Sequence, residues 1–178
     1  MRPAEHMNSP YLPEKATVKN VVALTDTERL FTIALDSGRS LGHTPGQFVE
    51  VSLFGIGEGP ISISSPPAED NSFELGVRAA GNLTRAMHKL AAGDTVGIRG
   101  PFGNGFPVES LMGKDLLFVA GGIGITPFLS ILGEWDAAGI AEPVTLIWSV
   151  RTGNDRIDEG FFEAAAARHA AFRYVPVL

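Results

Sequence analysis

The sequence predicts a six-stranded antiparallel β barrel followed by an incomplete parallel α/β sheet. Up to about residue 107, short β-rich runs alternate with Gly, Pro, Asp or Asn, which is the spacing of a small barrel or sandwich. Beyond that point the pattern becomes strand, helix, strand, helix, strand, the layout of half a parallel sheet. A glycine-rich turn follows the first of these later strands directly, as in nucleotide-binding α/β folds.

The first part of the chain contains six predicted strands and one predicted helix. The strands cover residues 18–24, 30–35, 48–53, 61–64, 73–78 and 95–99. The helix covers residues 82–91, where Leu83, Met87 and Leu90 fall on one face, so we expect it to close one end of the barrel. We expect residues 1–15 to be a flexible N-terminus, residues 16–108 to form the barrel domain and residues 109–178 to form the second domain.

The second domain is organised around residues 116–132. An unbroken apolar run, 116–120, suits a parallel strand that is covered on both faces, and the glycines after it let the chain turn. We expect a helix over 126–138, with Thr126 as its cap and Pro127 at its first position. The unpaired N–H groups of such a helix start suit the pyrophosphate of a dinucleotide.

The remaining segments predict a strand over 144–148, a helix over 158–169 and a final apolar strand over 172–178. A doubly wound nucleotide domain normally has two such halves, and only one is present. The first strand of this half would therefore have an unpaired edge. We expect either a truncated version of a longer protein, which is the favoured alternative, or a partner chain or second copy that completes the sheet.

Composition disfavours several functional classes. The net charge of −6 and the absence of a Lys/Arg cluster disfavour nucleic-acid or anionic-membrane partners. No apolar run is long enough to span a bilayer, and without a secretory signal a cytoplasmic location is expected. With no cysteine, the chain can form neither disulfides nor cysteine-ligated iron–sulfur clusters, and its four histidines lack metal-ligand spacing, so no metal site is predicted.

Five motifs in register resemble the ferredoxin-NADP reductase superfamily. They are Pro45-Gly46-Gln47-Phe48-Val49, Pro60-Ile61-Ser62-Ile63-Ser64-Ser65, Gly81-Asn82-Leu83-Thr84, Gly100-Pro101-Phe102-Gly103 and Gly121-Gly122-Ile123-Gly124-Ile125-Thr126-Pro127. The second of these motifs is most similar to the form found in flavin subunits of multi-subunit complexes, such as sulfhydrogenase gamma subunits and the electron-transfer subunit of dihydroorotate dehydrogenase.

The resemblance implies a flavin-binding barrel that holds FAD and a second domain that holds NAD(P). The implied activity is that of an FAD-dependent NAD(P)H:acceptor oxidoreductase or electron-transfer subunit, since a flavin accepts a hydride and can release electrons singly. Implied partners are NAD(P)H and an iron–sulfur protein or partner redox subunits. Two alternatives stay open: a structural subunit or incomplete product without turnover, and a reductase that uses free flavin as a substrate.

The resemblance also implies the flavin site. Ser62 would act near the reactive nitrogen of the flavin, while residues 81–84 would hold the FAD phosphates. The superfamily motif usually has Arg and an aromatic residue where this chain has Gly59 and Ile61. Arg78 is the nearest replacement for that cation, because arginine suits phosphate; the alternative is a solvated charge at the end of a strand. The expected flavin-binding residues are Pro60, Ile61, Ser62, Ile63, Val77, Arg78, Gly81, Asn82, Leu83 and Thr84.

The nucleotide site would lie at the glycine turn of the second domain. Thr126 would sit close to the nicotinamide and, with Ser62, would be catalytic. Arg151, which follows the second strand, would contact the adenosine ribose or a 2′-phosphate; this leans towards NADP, although an arginine at a strand end is often only a surface charge. The expected nucleotide-binding residues are Gly121, Gly122, Ile123, Gly124, Thr126, Pro127 and Arg151.

Overall fold

The computed structural model describes residues 11–178, and its first part is a single antiparallel sheet. The order of the strands across this sheet is β4-β3-β6-β1-β2-β5. The two edges approach each other through one bridge between Ile63 and Leu75, so the sheet is barrel-like without being closed. The strands are β1 (Glu14–Ala23), β2 (Glu28–Leu35), β3 (Phe48–Leu53), β4 (Gly57–Ser62), β5 (Ser72–Arg78) and β6 (Thr95–Phe102).

Aliphatic and aromatic side chains of these strands fill the barrel, as the six-stranded prediction requires. Phe31, Ile33 and Leu75 are fully buried in this core. The helix α1 (Asn82–Met87) packs on it through Met87, with Leu83 beside it, so the predicted apolar face is confirmed for these two residues. Leu90 also packs against this core, but it lies after the end of the helix.

Five elements of the barrel have a boundary that differs by two or more residues from the sequence prediction. β2 starts at Glu28 instead of residue 30, and β6 ends at Phe102 instead of residue 99. The helix ends at Met87 instead of residue 91, because the chain then enters tight turns in which Leu90 N–H donates to Met87 O. β4 occupies Gly57–Ser62 instead of 61–64, because it pairs with β3 as a hairpin that starts at Gly57. β1 already begins at Glu14, whereas residues 1–10 of the expected flexible N-terminus lie outside the described residues.

The second part is a three-stranded parallel sheet with the order β7-β8-β9, in which the outer edge of β7 has no partner strand among residues 11–178. Its strands agree with the predicted ones to within about one residue. The elements are α2 (Val108–Leu111), β7 (Leu116–Gly121), a 3-10 turn (Gly122–Ile125), α3 (Thr126–Ala138), β8 (Val144–Ser149), α4 (Glu159–Arg168) and β9 (Phe172–Val177).

One face of this sheet is packed and the other is open. Ile131 of α3 and Phe162 of α4 are fully buried in the core beside β7 and β8. On the opposite face Leu117 and Val119 are 62% and 64% exposed. The expectation that β7 is covered on both faces is therefore wrong for the described residues, because both helices pack against the same face.

The two sheets meet where β5 contacts the start of α3. Gly76 of β5 lies so close to Thr126 that a Cβ on this glycine would stand 2.4 Å from the threonine Cγ2. Phe106, in the connection between the sheets, stacks on Phe128 with ring centroids 5.4 Å apart. The contact between Gly76 and Thr126 places the glycine turn of the second sheet against the outward-facing side of β5, since Leu75 and Val77 face the barrel core.

Candidate functional site

The turn after β7 is bare on its outer side. A Cβ on Gly121 or Gly124 would meet no heavy atom within 4 Å, so both positions leave open surface. Gly122 has a φ of +51°, which favours glycine, and its carbonyl oxygen accepts a hydrogen bond from Trp148 Nε1 at 2.9 Å. The turn is thus fixed from below by a fully buried indole, with its outer side free to receive a ligand.

The helix after this turn does not start as the sequence predicted. Ile125 occupies the N-cap position, Thr126 is the first helical residue and Pro127 the second. Thr126 does not cap the helix, because its hydroxyl donates to Ile123 O at 3.0 Å instead of accepting from a backbone N–H. The preceding 3-10 turn shifts the helix start, and the 4% exposed Thr126 packs between the two sheets.

A pocket of about 220 Å³ lies beside the turn, where β7 and β8 end. Two arginines line it: Arg78, at the end of β5 in the barrel, and Arg151, just after β8 in the second sheet. Asp155 contributes a carboxylate, whose Oδ2 accepts hydrogen bonds from the N–H and hydroxyl of Thr152 at 3.0 Å each. The remaining lining residues are Gly121, Gly122, Ser149 and Val150. The pocket joins two of the predicted nucleotide-binding glycines to the predicted Arg151.

Arg78 is held by a glutamate that the sequence analysis missed. Its Nε donates to Glu28 Oε1 at 2.5 Å, and Glu28 is only 1% exposed. The hydroxyls of Thr25 and Thr27 also donate to this carboxylate. Although burial raises the pKa of Glu28, these hydrogen bonds and the Arg78 charge outweigh it and hold that pKa below the usual range. The signal was present in the sequence as a Thr-x-Thr-Glu run opening a strand.

Some of the predicted flavin-binding residues have accessible side chains, and others are buried. Pro60 is exposed, and Ile61 and Ser62 are half-buried. The Ser62 hydroxyl has no hydrogen-bond partner among residues 11–178, so it is available to a ligand. Ile63 and Val77 lie in the barrel core at 0% and 1% exposure, which leaves only their backbone groups for a cofactor.

The loop before α1 exposes its backbone at Gly81 and is stabilised by hydrogen bonds to the Thr84 side chain. Gly81 is exposed, and a Cβ on it would meet no atom within 4 Å. The Thr84 hydroxyl accepts hydrogen bonds from the N–H groups of Ala80 and Gly81 at 3.0 and 2.9 Å, so it shapes the loop whether or not it also contacts a phosphate. Asn82 is exposed beside Gly81, and Leu83 is half-buried. The open backbone at Gly81 and the unpartnered Ser62 hydroxyl fit the groups that would hold a flavin dinucleotide.

The position that carries arginine in the superfamily motif is filled differently here. A Cβ on Gly59 would stand 3.0 Å from Leu83 Cδ2, which is closer than an ordinary van der Waals contact. A longer side chain at residue 59 would therefore require the end of the half-buried Leu83 side chain to move.

Within residues 11–178 no three His, Asp or Glu side chains are grouped so that they could hold a metal ion. None of the helices in this described part is long and apolar enough to cross a membrane.

Comparison with known proteins identifies the fold and the family. Residues 15–106 match the family model "Oxidoreductase FAD-binding domain". The chain is 41% identical to the sulfhydrogenase 1 gamma subunit of Pyrococcus furiosus, over 87% of this chain and 56% of that protein. It is 38% identical to a probable electron-transfer subunit of dihydroorotate dehydrogenase B (NAD(+)) from Methanocella arvoryzae, over 86% of this chain and 54% of that subunit.

A solved structure shares the fold of nearly the whole described chain. A ferredoxin NADP+ reductase from Neisseria gonorrhoeae, crystallised with bound FAD and NADP, superposes with a TM-score of 0.75 at 27% identity and covers 91% of this chain and 66% of its own. The chain spans about half the length of the curated relatives it matches. The resemblance inferred from the five motifs is confirmed, and the chain belongs to the oxidoreductase FAD-binding domain family, with electron-transfer subunits of redox complexes among its homologues.

Proposed function

We propose that this chain passes electrons between NAD(P)H and a one-electron acceptor, an iron–sulfur protein or a partner redox subunit, through FAD. In this proposal residues 16–108 form the FAD domain and residues 109–178 form part of the NAD(P) domain. The cytoplasmic location expected from the sequence stays part of it.

The contact between β5 and the glycine turn carries the proposal. Hydride transfer requires the two reacting rings to lie within van der Waals contact in a fixed orientation. Gly76 has no side chain, and this allows Thr126, at the end of the turn, to approach the strand that leads into the flavin loop. The surfaces proposed to bind the two cofactors are therefore next to each other.

The residues around this contact have separate roles in the proposal. FAD, when bound, would accept a hydride and return electrons one at a time. The backbone of residues 60–63 would bind the edge of the flavin ring, and the unpartnered Ser62 hydroxyl would donate a hydrogen bond there. Backbone N–H groups at Gly121 and Gly122 would bind the nucleotide pyrophosphate, with Arg151 at its adenosine end. Thr126 would orient the turn through its hydrogen bond to Ile123 O.

Steady-state reduction of ferricyanide by NADH and by NADPH tests this function. The proposal predicts turnover by the flavin-loaded protein with at least one nucleotide. Loss of flavin on gel filtration, with turnover restored only by added free flavin, would indicate the free-flavin reductase instead. A flavin-loaded protein without turnover would indicate the structural subunit.

Two serines in one segment provide a matched pair of variants. Ser62→Ala removes the hydroxyl proposed to contact the flavin, and we expect the turnover to fall about 2- to 10-fold, the worth of one hydrogen bond. Ser64→Ala removes a buried hydroxyl that also has no partner within residues 11–178, two positions along the chain. Its turnover should equal that of the unaltered chain. Equal turnover of both variants would remove Ser62 from the proposed site.

A further inference from the structure

Arg78 belongs to the barrel by sequence but faces the nucleotide turn. A Cβ placed on Gly122 would stand 3.1 Å from Arg78 Nη2 and 3.4 Å from Nη1, so the guanidinium lies directly against the glycine. The same guanidinium lines the pocket at the ends of β7 and β8 together with Arg151. The sequence had assigned this arginine to the phosphates of FAD.

The guanidinium is anchored on one side and open on the other. Nε is engaged by Glu28, which is buried and is itself fixed by the hydroxyls of Thr25 and Thr27. Each of the two terminal nitrogens, Nη1 and Nη2, carries two N–H donors. None of these four donors has a hydrogen-bond acceptor among residues 11–178. An arginine held through Nε presents the remaining fork of donors in a fixed direction, which is the arrangement that binds phosphate oxygens.

The hydrogen-bond donors that face the pocket suit an anion. Arg78 and Arg151 contribute two positive charges, and Asp155 and Glu28 contribute two negative ones. Glu28 engages only Nε of Arg78, and Asp155 already accepts two hydrogen bonds from Thr152, so the Nη donors of Arg78 are left for a ligand. Gly122 has no side chain to separate the Arg78 guanidinium from a ligand on the turn. A phosphate held by the N–H groups of this turn would therefore also lie within reach of a barrel residue.

We propose that Arg78 binds a phosphate of the nicotinamide nucleotide instead of a phosphate of FAD, so that the barrel and the second sheet share one nucleotide site. Glu28 acts as the positioning residue that aims the guanidinium at the turn. This inference rests on the proposed function, because it assumes that NAD(P)H binds at Gly121 and Gly122.

The test compares Arg78→Gln with Arg39→Gln in the full 178-residue chain. Arg39 is the matched control, since it also pairs with a barrel glutamate, Glu14, but is solvent-exposed and does not line the pocket. Calorimetric titration with NADP+ and NAD+, which do not reduce the flavin, gives the dissociation constant, and absorbance gives the flavin content. We expect Arg78→Gln to weaken nucleotide binding about 10-fold or more with its flavin content unchanged, and Arg39→Gln to change neither.

Arg78→Gln leaves the buried Glu28 carboxylate without its cation, and this could destabilise the fold. A second variant that also removes the carboxylate charge separates loss of binding from loss of stability. Glu28→Gln/Arg78→Gln removes both charges and should show the same weakened binding, whereas Glu28→Gln alone should weaken it less, since the arginine stays but loses its anchor. Unchanged nucleotide binding in the variants without Arg78, or loss of flavin from them, would overturn this inference alone. Failure of the unaltered chain to bind either nucleotide would overturn the proposed function together with it.

Discussion

Replacing Gly76 with alanine should destabilise the contact between the two sheets. The new Cβ would lie 2.4 Å from Thr126 Cγ2. Two non-bonded carbon atoms normally stay about 3.5 to 4.0 Å apart, so one of the two sheets must shift by about 1 Å or more. Thr126 cannot easily rotate away, because it is 4% exposed and its hydroxyl is bonded to Ile123 O. We expect overpacking to cost about 1 to 3 kcal/mol, less about 0.5 to 1 kcal/mol that alanine gains over glycine in a strand.

A second variant tests this cause directly. Thr126→Ser keeps the hydroxyl and removes the methyl group that the new Cβ would meet, so Gly76→Ala/Thr126→Ser should recover most of the lost stability. Urea unfolding followed by tryptophan fluorescence gives the free energy for the full double-mutant cycle, and we expect a coupling of at least about 1 kcal/mol. If Gly76→Ala were as stable as the unaltered chain, or if the double variant were no better than Gly76→Ala, the close packing of β5 on α3 would be refuted.

Three other substitutions have expected outcomes. Hydrogen bonds from Arg99 and then Ser52 lower the pKa of Glu58 to about 2, so the ion pair stabilises the fold above pH 4.5 and loses this effect as the pH falls through 2. Glu58→Gln should therefore cost about 1 kcal/mol or less in urea unfolding at pH 7, and this cost should shrink steadily as the pH is lowered to about 2. Burial raises the pKa of Glu74, so ionisation of this carboxyl opposes folding, and Glu74→Gln should raise the Tm at pH 7. A gain in Tm that persisted below about pH 4, where both forms of the side chain are neutral, would contradict this cause. Ser130 is fully buried and its hydroxyl has no partner within residues 11–178, so Ser130→Ala should change stability by less than about 1 kcal/mol, whereas a loss above about 2 kcal/mol would show that the hydroxyl is used.

The local pattern of the sequence was sufficient for most of the secondary structure. The glycine turn after β7 could be predicted because Gly121, Gly122 and Gly124 follow an apolar run directly and precede a proline. The apolar residues Leu83 and Met87 on one face of α1 were equally visible, since their spacing depends only on the helical period; Leu90 also packs on the core, but it lies in the turn after the helix.

Contacts between distant segments account for what the sequence did not predict. Arg78 and Gly122 are 44 positions apart, and the packing of β5 on the glycine turn, as at Gly76 and Thr126, brings them together. The pairing of Arg78 with Glu28 depends on β2 lying beside β5, where the two residues are directly opposite each other. No local signal distinguishes an arginine aimed at FAD from one aimed at the neighbouring sheet.

The open face of β7 has a similar explanation. The apolar run alone predicts a buried strand, but which face is covered depends on the side to which both connecting helices cross. In this structure α3 and α4 cross to the same side, and Leu117 and Val119 stay exposed.

An anaerobic titration of the purified protein with NADPH and, separately, with NADH tests the central claim most directly. The account predicts a visible flavin spectrum that survives gel filtration and bleaches on addition of at least one of the two nucleotides. Such bleaching would require the cofactor, the hydride donor and a working contact between β5 and the glycine turn in one protein. A protein that carries no flavin, or flavin that stays oxidised with excess NADH and excess NADPH, would contradict the account.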